Sequence, residues 1–106
     1  MPAPIQNSDY FKNLIADIIK KHIVLYGPQI AISKARDIEG LELSREGEVK
    51  QVTGDSEHIL RQLIAEYMDL SIHIAKSVFL QILENYPEDT RKHFTFLKEN
   101  QDMENL

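Results

Sequence analysis

His22 is set among apolar side chains at helical spacing, on one face with Phe11, Ile15, Ile18 and Tyr26. An imidazole titrates near neutrality, so in such a place it can act as a pH-responsive contact, a ligand or a general base. No acid or nucleophile is spaced along the same segment to orient it. The polar groups that a facing helix would bring to it are Tyr67 and Ser71. Together His22, Tyr26, Tyr67 and Ser71 form the candidate ligand-binding set, a few polar groups in otherwise apolar walls. The simpler and favoured account is a histidine hydrogen-bonded across a helix packing, because a buried imidazole needs only a partner.

Two further patterns have metal-ligand spacing. Asp69 and His73 lie four apart with Glu66 a turn earlier, and Asp89 and His93 repeat the interval. Residues four apart share a helix face, where a carboxylate and an imidazole can hold a cation. Dinuclear carboxylate bundles need Glu-x-x-His supplied twice, and neither that nor His-Glu-x-x-His is present. Both pairs fall on polar faces, so solvated charge pairs are expected there and no metal site. The stretch Tyr26-Gly27-Pro28-Gln29-Ile30 places helix-start amides near Ser33 and Lys34, a geometry that suits an anion. Without a Gly-rich phosphate loop, a corner between two helices is the expected role. Cysteine is absent, which removes disulfides, thiolate catalysis, iron–sulfur clusters and cysteine zinc sites. No Gly-x-Ser-x-Gly elbow occurs. The expectation is therefore a protein with no catalytic residues and no cofactor.

The elements that carry these residues follow from punctuation. A helix is predicted over about 9–26, capped by Ser8 or Asp9 and stopped by Gly27-Pro28. A short helix follows over about 28–36. Residues 40–53 alternate as a hairpin, Leu41-Glu42-Leu43 against Val49-Lys50-Gln51-Val52. A three-residue loop, Arg45 to Gly47 with Gly47 left-handed, pairs Leu43 with Val49 and sets Glu42 opposite Lys50. From 56 to 86 no Gly or Pro interrupts a long amphipathic helix, and Pro87 opens a short C-terminal helix over about 87–99. Residues 1–7 and 100–106 read as flexible tails. The fold class is mainly α with a small β-hairpin (α+β), one domain over 1–106, as a length of 106 residues implies.

The segment 57–86 is the informative one. On a helical wheel the apolar residues of its 67–83 stretch fill roughly 180°, against the stripe of about 100° that suffices to bury one face. Leu70 and Leu80 intrude even on the polar side. As a single rod of about 30 residues it would extend roughly 45 Å, whereas a compact chain of this size is only about 34 Å across. Either the helix bends near Ser71 or a second molecule covers it. The favoured expectation is a two-fold homodimer, with Met68, Ile72, Ala75, Phe79, Ile82 and Leu83 as the interface.

The net charge is −5, and no basic stripe of the kind that displaces counterions from phosphates is present. Nucleic-acid binding is disfavoured. No apolar run approaches the ~20 residues of a membrane span, and the N-terminus lacks the basic and apolar regions of a secretory signal. The functional expectation is a cytoplasmic, non-catalytic protein–protein interaction or regulatory module acting as a homodimer, with a further protein partner possible. The alternative is a small-molecule sensing domain with an apolar pocket between helices 9–26 and 57–86.

Overall fold

Phe11, Leu14, Ile15, Ile18, Ile19 and His22 recur every three to four residues and are all buried, the signature of a helix with one face in the core. They belong to α1, Ser8–Tyr26, in a computed structural model that describes residues 8–86. Gly27 ends α1 with φ at +91°, a region side chains disfavour, and its amide still donates to the Ile23 carbonyl at 2.8 Å. Pro28 then opens α2, Pro28–Arg36, which buries Ala31, Ile32 and Ala35. The corner expected at Gly27-Pro28 is there.

Two strands follow, β1 Leu41–Leu43 and β2 Val49–Val52, paired antiparallel. Leu43 faces Val49, and the Ser44 amide donates to the Glu48 carbonyl at 2.8 Å, closing the three-residue loop 45–47. Gly47 is left-handed at φ +92°, as that loop type requires. It also has to be small. A Cβ there would come within 2.9 Å of Ile32 Cγ1 and 3.0 Å of Ile23 Cδ1, so the hairpin tip is seated directly on α1 and α2. One detail of the register differs from expectation. Glu42 faces Gln51 rather than Lys50, because the register shifts between Glu42 and Leu43 and Lys50 has no partner in β1. A bulge keeps Leu43–Val49 and Leu41–Val52 paired despite the odd residue.

The long helix over 56–86 is not continuous. α3 runs Ser56–Met68, started by the Asp55 carboxylate, which accepts from the Glu57 and His58 amides at 3.1 and 3.3 Å. The chain then turns. The Leu70 and Ser71 amides both donate to the Tyr67 carbonyl, and Ser71 is extended with φ −162°. Its hydroxyl accepts from the Ile74 amide at 3.2 Å and starts α4, Ile72–Leu83. A serine can end one helix and cap the next without glycine or proline, because its side-chain oxygen replaces the missing intrahelical acceptor. Breaking the rod lets the wide apolar arc be divided between two helices. Ile59, Leu60, Leu63, Ile64 and Tyr67 of α3 join Ala75, Phe79 and Leu83 of α4 in one core with α1, α2 and Leu41. Beyond α4, Tyr86 donates to the Asp17 carboxylate at 2.8 Å and ties the chain back to α1.

The expected helix over 87–99, the tails 1–7 and 100–106 and the Asp89–His93 pair lie outside the described residues. Among those described, no helix is long and apolar enough to cross a membrane.

Candidate functional site

α1 brings His22 and Tyr26 to one face, four residues apart, and α3 carries Tyr67 against them. The His22 and Tyr67 rings stack with centroids 3.7 Å apart and planes 7° apart, and the Tyr26 ring is near-parallel to His22 with centroids 5.9 Å apart. Three of the four predicted binding residues therefore come together. They contact one another, so the rings themselves occupy the space between α1 and α3 that the pocket required. Ser71, the fourth, is engaged elsewhere, as the cap of α4.

Two of the four polar side-chain atoms of the stack are committed. The Tyr67 hydroxyl donates to the Ala31 carbonyl at 2.8 Å. His22 Nδ1 lies 2.9 Å from the Ile18 carbonyl, which can only accept, so Nδ1 carries the proton and Nε2 presents a lone pair. Two buried atoms are left over: among the described residues, His22 Nε2 and the Tyr26 hydroxyl have no hydrogen-bond partner. Only 1% of His22 is exposed. Burial depresses its pKa, and the bond to Ile18 offsets part of that. Burial raises the Tyr67 hydroxyl above its ordinary value. With Nδ1 on a backbone carbonyl and no carboxylate bonded to it among the described residues, this imidazole packs against the tyrosine rings and keeps a spare acceptor at Nε2.

Asp69 and His73, whose spacing alone resembled a metal-ligand pair, are separated. Asp69 sits at the α3–α4 turn, which destroys the helical interval to His73. Its carboxylate takes the Lys34 ammonium of α2 at 2.9 Å, with Glu66 at 3.8 Å from the same nitrogen. The hydrogen bond from Lys34 holds the Asp69 carboxyl below its usual range, and the bond to Asp69 raises Lys34. Among the described residues no group of three or more potential ligands could hold a metal ion.

The expected interface residues divide into two sets. Ala75, Phe79 and Leu83 are buried in the chain's own core and offer no surface to a second copy. The physical reason is the break at Ser71, which turns them inward. Met68 and Ile82 are half-buried and packed on that core, and Ile72 is 44% exposed. Around the turn Leu70 and Ile74 are also exposed, and on α2 so is Ile30, one turn before Lys34. The Lys34–Asp69 link escaped prediction because it joins segments 35 residues apart. The signals of this surface in the sequence were Ile72, within the expected interface, and Leu70, intruding on the polar side of the wheel.

No protein-family model matches the chain, and no curated protein or solved structure matches it.

Proposed function

We propose that the protein is a small non-catalytic interaction module that works as a homodimer through the corner between α3 and α4. The observation that carries it is Leu70, Ile72 and Ile74, three exposed apolar side chains within five residues of sequence. Scattered exposed leucines need no explanation, but apolar side chains concentrated at one corner mark an interaction surface. Asp69, next to Leu70 in sequence, pairs with Lys34 of α2, and Ile30 is exposed one turn before Lys34. An apolar patch around an ion pair suits a two-fold contact, in which each copy offers the same surface. Met68 and Ile82 are the remaining residues of the predicted interface that can border it. A cytoplasmic setting is part of the proposal and rests on the acidic, cysteine-free composition. Sedimentation equilibrium over about 10–100 µM, the range that resolves micromolar affinity, is expected to give twice the monomer mass. Ile72→Glu is expected to give a monomer with an unchanged circular dichroism spectrum. A monomer throughout, or a dimer indifferent to Ile72→Glu and Leu70→Glu, would refute it.

A second reading, a small-molecule site on His22, Tyr26 and Tyr67, is favoured by the two unpartnered atoms alone. A ligand bound only by the native state raises the melting temperature, so a thermal-shift screen over metabolites decides it. A hit that His22→Leu abolishes supports the site, and a screen without hits removes it.

A further inference from the structure

A second surface lies between α2 and the hairpin tip. Pro28, Gln29, Ile32, Ser33 and Arg36 follow one face of α2, and Arg45 reaches it from the loop between the strands. The six line an open groove of about 500 Å³. Seating of Gly47 on Ile32 fixes the loop against the helix and so fixes where Arg45 starts. Arg36 donates to the Ser44 carbonyl at 3.2 Å, which anchors its guanidinium to the same loop.

The chain has an excess of acids, 17 against 12 basic residues. Lys34 and Arg61 have taken carboxylate partners within the fold. Arg36 and Arg45 have none among the described residues, although Asp37, Glu46 and Glu48 are near in sequence. Two unneutralised arginines share one groove with a serine hydroxyl and a glutamine amide. Arginine presents a planar fork of donors that matches a carboxylate. A small molecule would require a cavity that buries most of its surface, and this groove is open along its length. An extended chain can lie in it, with its acids on the arginines and its backbone or an apolar side chain over Pro28 and Ile32.

We infer that the groove between α2 and the hairpin tip binds an acidic peptide segment of a partner protein, with Arg36 and Arg45 each receiving a carboxylate. The site deepens the interaction-module reading but uses a surface separate from the α3–α4 corner, so failure of the dimer leaves it standing and its own failure leaves the dimer standing.

The test is a nuclear magnetic resonance titration of the full chain, labelled with nitrogen-15, at low salt. The probes are a hexaglutamate peptide and, in separate arms, inorganic phosphate and a hexalysine peptide. Hexaglutamate is expected to shift the amides of Gln29, Ser33, Arg36 and Arg45 in a saturable way and to weaken as salt is added. Arg45→Gln touches no hydrogen bond of the fold and is expected to weaken binding about tenfold, the size of one lost charge-assisted bond. The double variant Arg36→Gln/Arg45→Gln should abolish it. Shifts at other residues, shifts unchanged in Arg45→Gln, the same shifts with hexalysine, or equal affinity for phosphate, which would mean a small-anion site, each overturn the inference.

Discussion

His22 and Tyr67 are stacked partners whose burial displaces their titrations in opposite directions. Because the pKa of His22 is lowered in the fold, the unfolded chain binds a proton below about pH 6.5 that the native state refuses. Stability is therefore intact above that pH and declines as pH falls toward the lowered native value. His22→Leu removes the proton site and the orphaned Nε2 together. Between pH 7.5 and 5.5 its melting temperature is expected to fall less than that of the parent protein. An unchanged slope in calorimetry would show that the acid sensitivity resides elsewhere. Tyr67 is the mirror case. Its hydroxyl keeps its proton in the fold above about pH 10, where the unfolded chain loses it, so stability declines as pH rises past that point. Tyr67→Phe is expected to cost about 1 kcal/mol at pH 7 through the lost bond to Ala31. The deficit should narrow above pH 10, as read by urea unfolding at both pH values. The placement of His22 was legible in the sequence because a lone imidazole in an apolar periodic face has few other places to go. Its partners were legible in identity but not in role, since Tyr67 and Ser71 sit four residues apart on an apparently continuous helix that in fact ends between them.

At the scale of the element, the hairpin and the first two helices follow from local rules. Gly27-Pro28 and the loop ending in Gly47 are punctuation that neighbouring residues alone dictate. The break at Ser71 is different. A helix end exposes unsatisfied backbone groups, so local terms favour continuing from Met68 through Leu83. Only the burial of Phe79 and Leu83 against α1 and α3 favours the turn, and that gain depends on residues far away in sequence. The serine supplies what local compensation there is. Ser71→Ala deletes the acceptor for the Ile74 amide and is expected to lower stability by about 1 kcal/mol, while Ser71→Asp retains the cap and most of that stability. Equal urea midpoints for the parent and Ser71→Ala would mean that tertiary packing alone holds the corner.

For the whole molecule, the width of the apolar arc on segment 57–86 had two solutions: a second chain or a fold back onto its own. The chain adopts the second for Ala75, Phe79 and Leu83, and what is left exposed at the corner is Leu70, Ile72 and Ile74. The length of a straight rod therefore no longer argues for a dimer, and the proposed contact depends on this corner alone. Mass action gives it a thermodynamic signature independent of molecular mass. If folded copies associate and unfolded ones do not, each tenfold rise in chain concentration above the dissociation constant adds stability, and the melting temperature climbs with it. Ile72→Glu places a charge where the two copies would meet, on a side chain that is already 44% exposed in the single chain, so it should flatten the dependence on concentration without a large drop at the dilute end. A melting temperature constant from about 1 to 100 µM, a range of two tenfold steps in mass action, would leave the α3–α4 corner as ordinary exposed apolar surface. A rise that survives Ile72→Glu would move the contact to another face, and Val24 and Leu25 at the end of α1, 78% and 50% exposed, would be the next residues to charge.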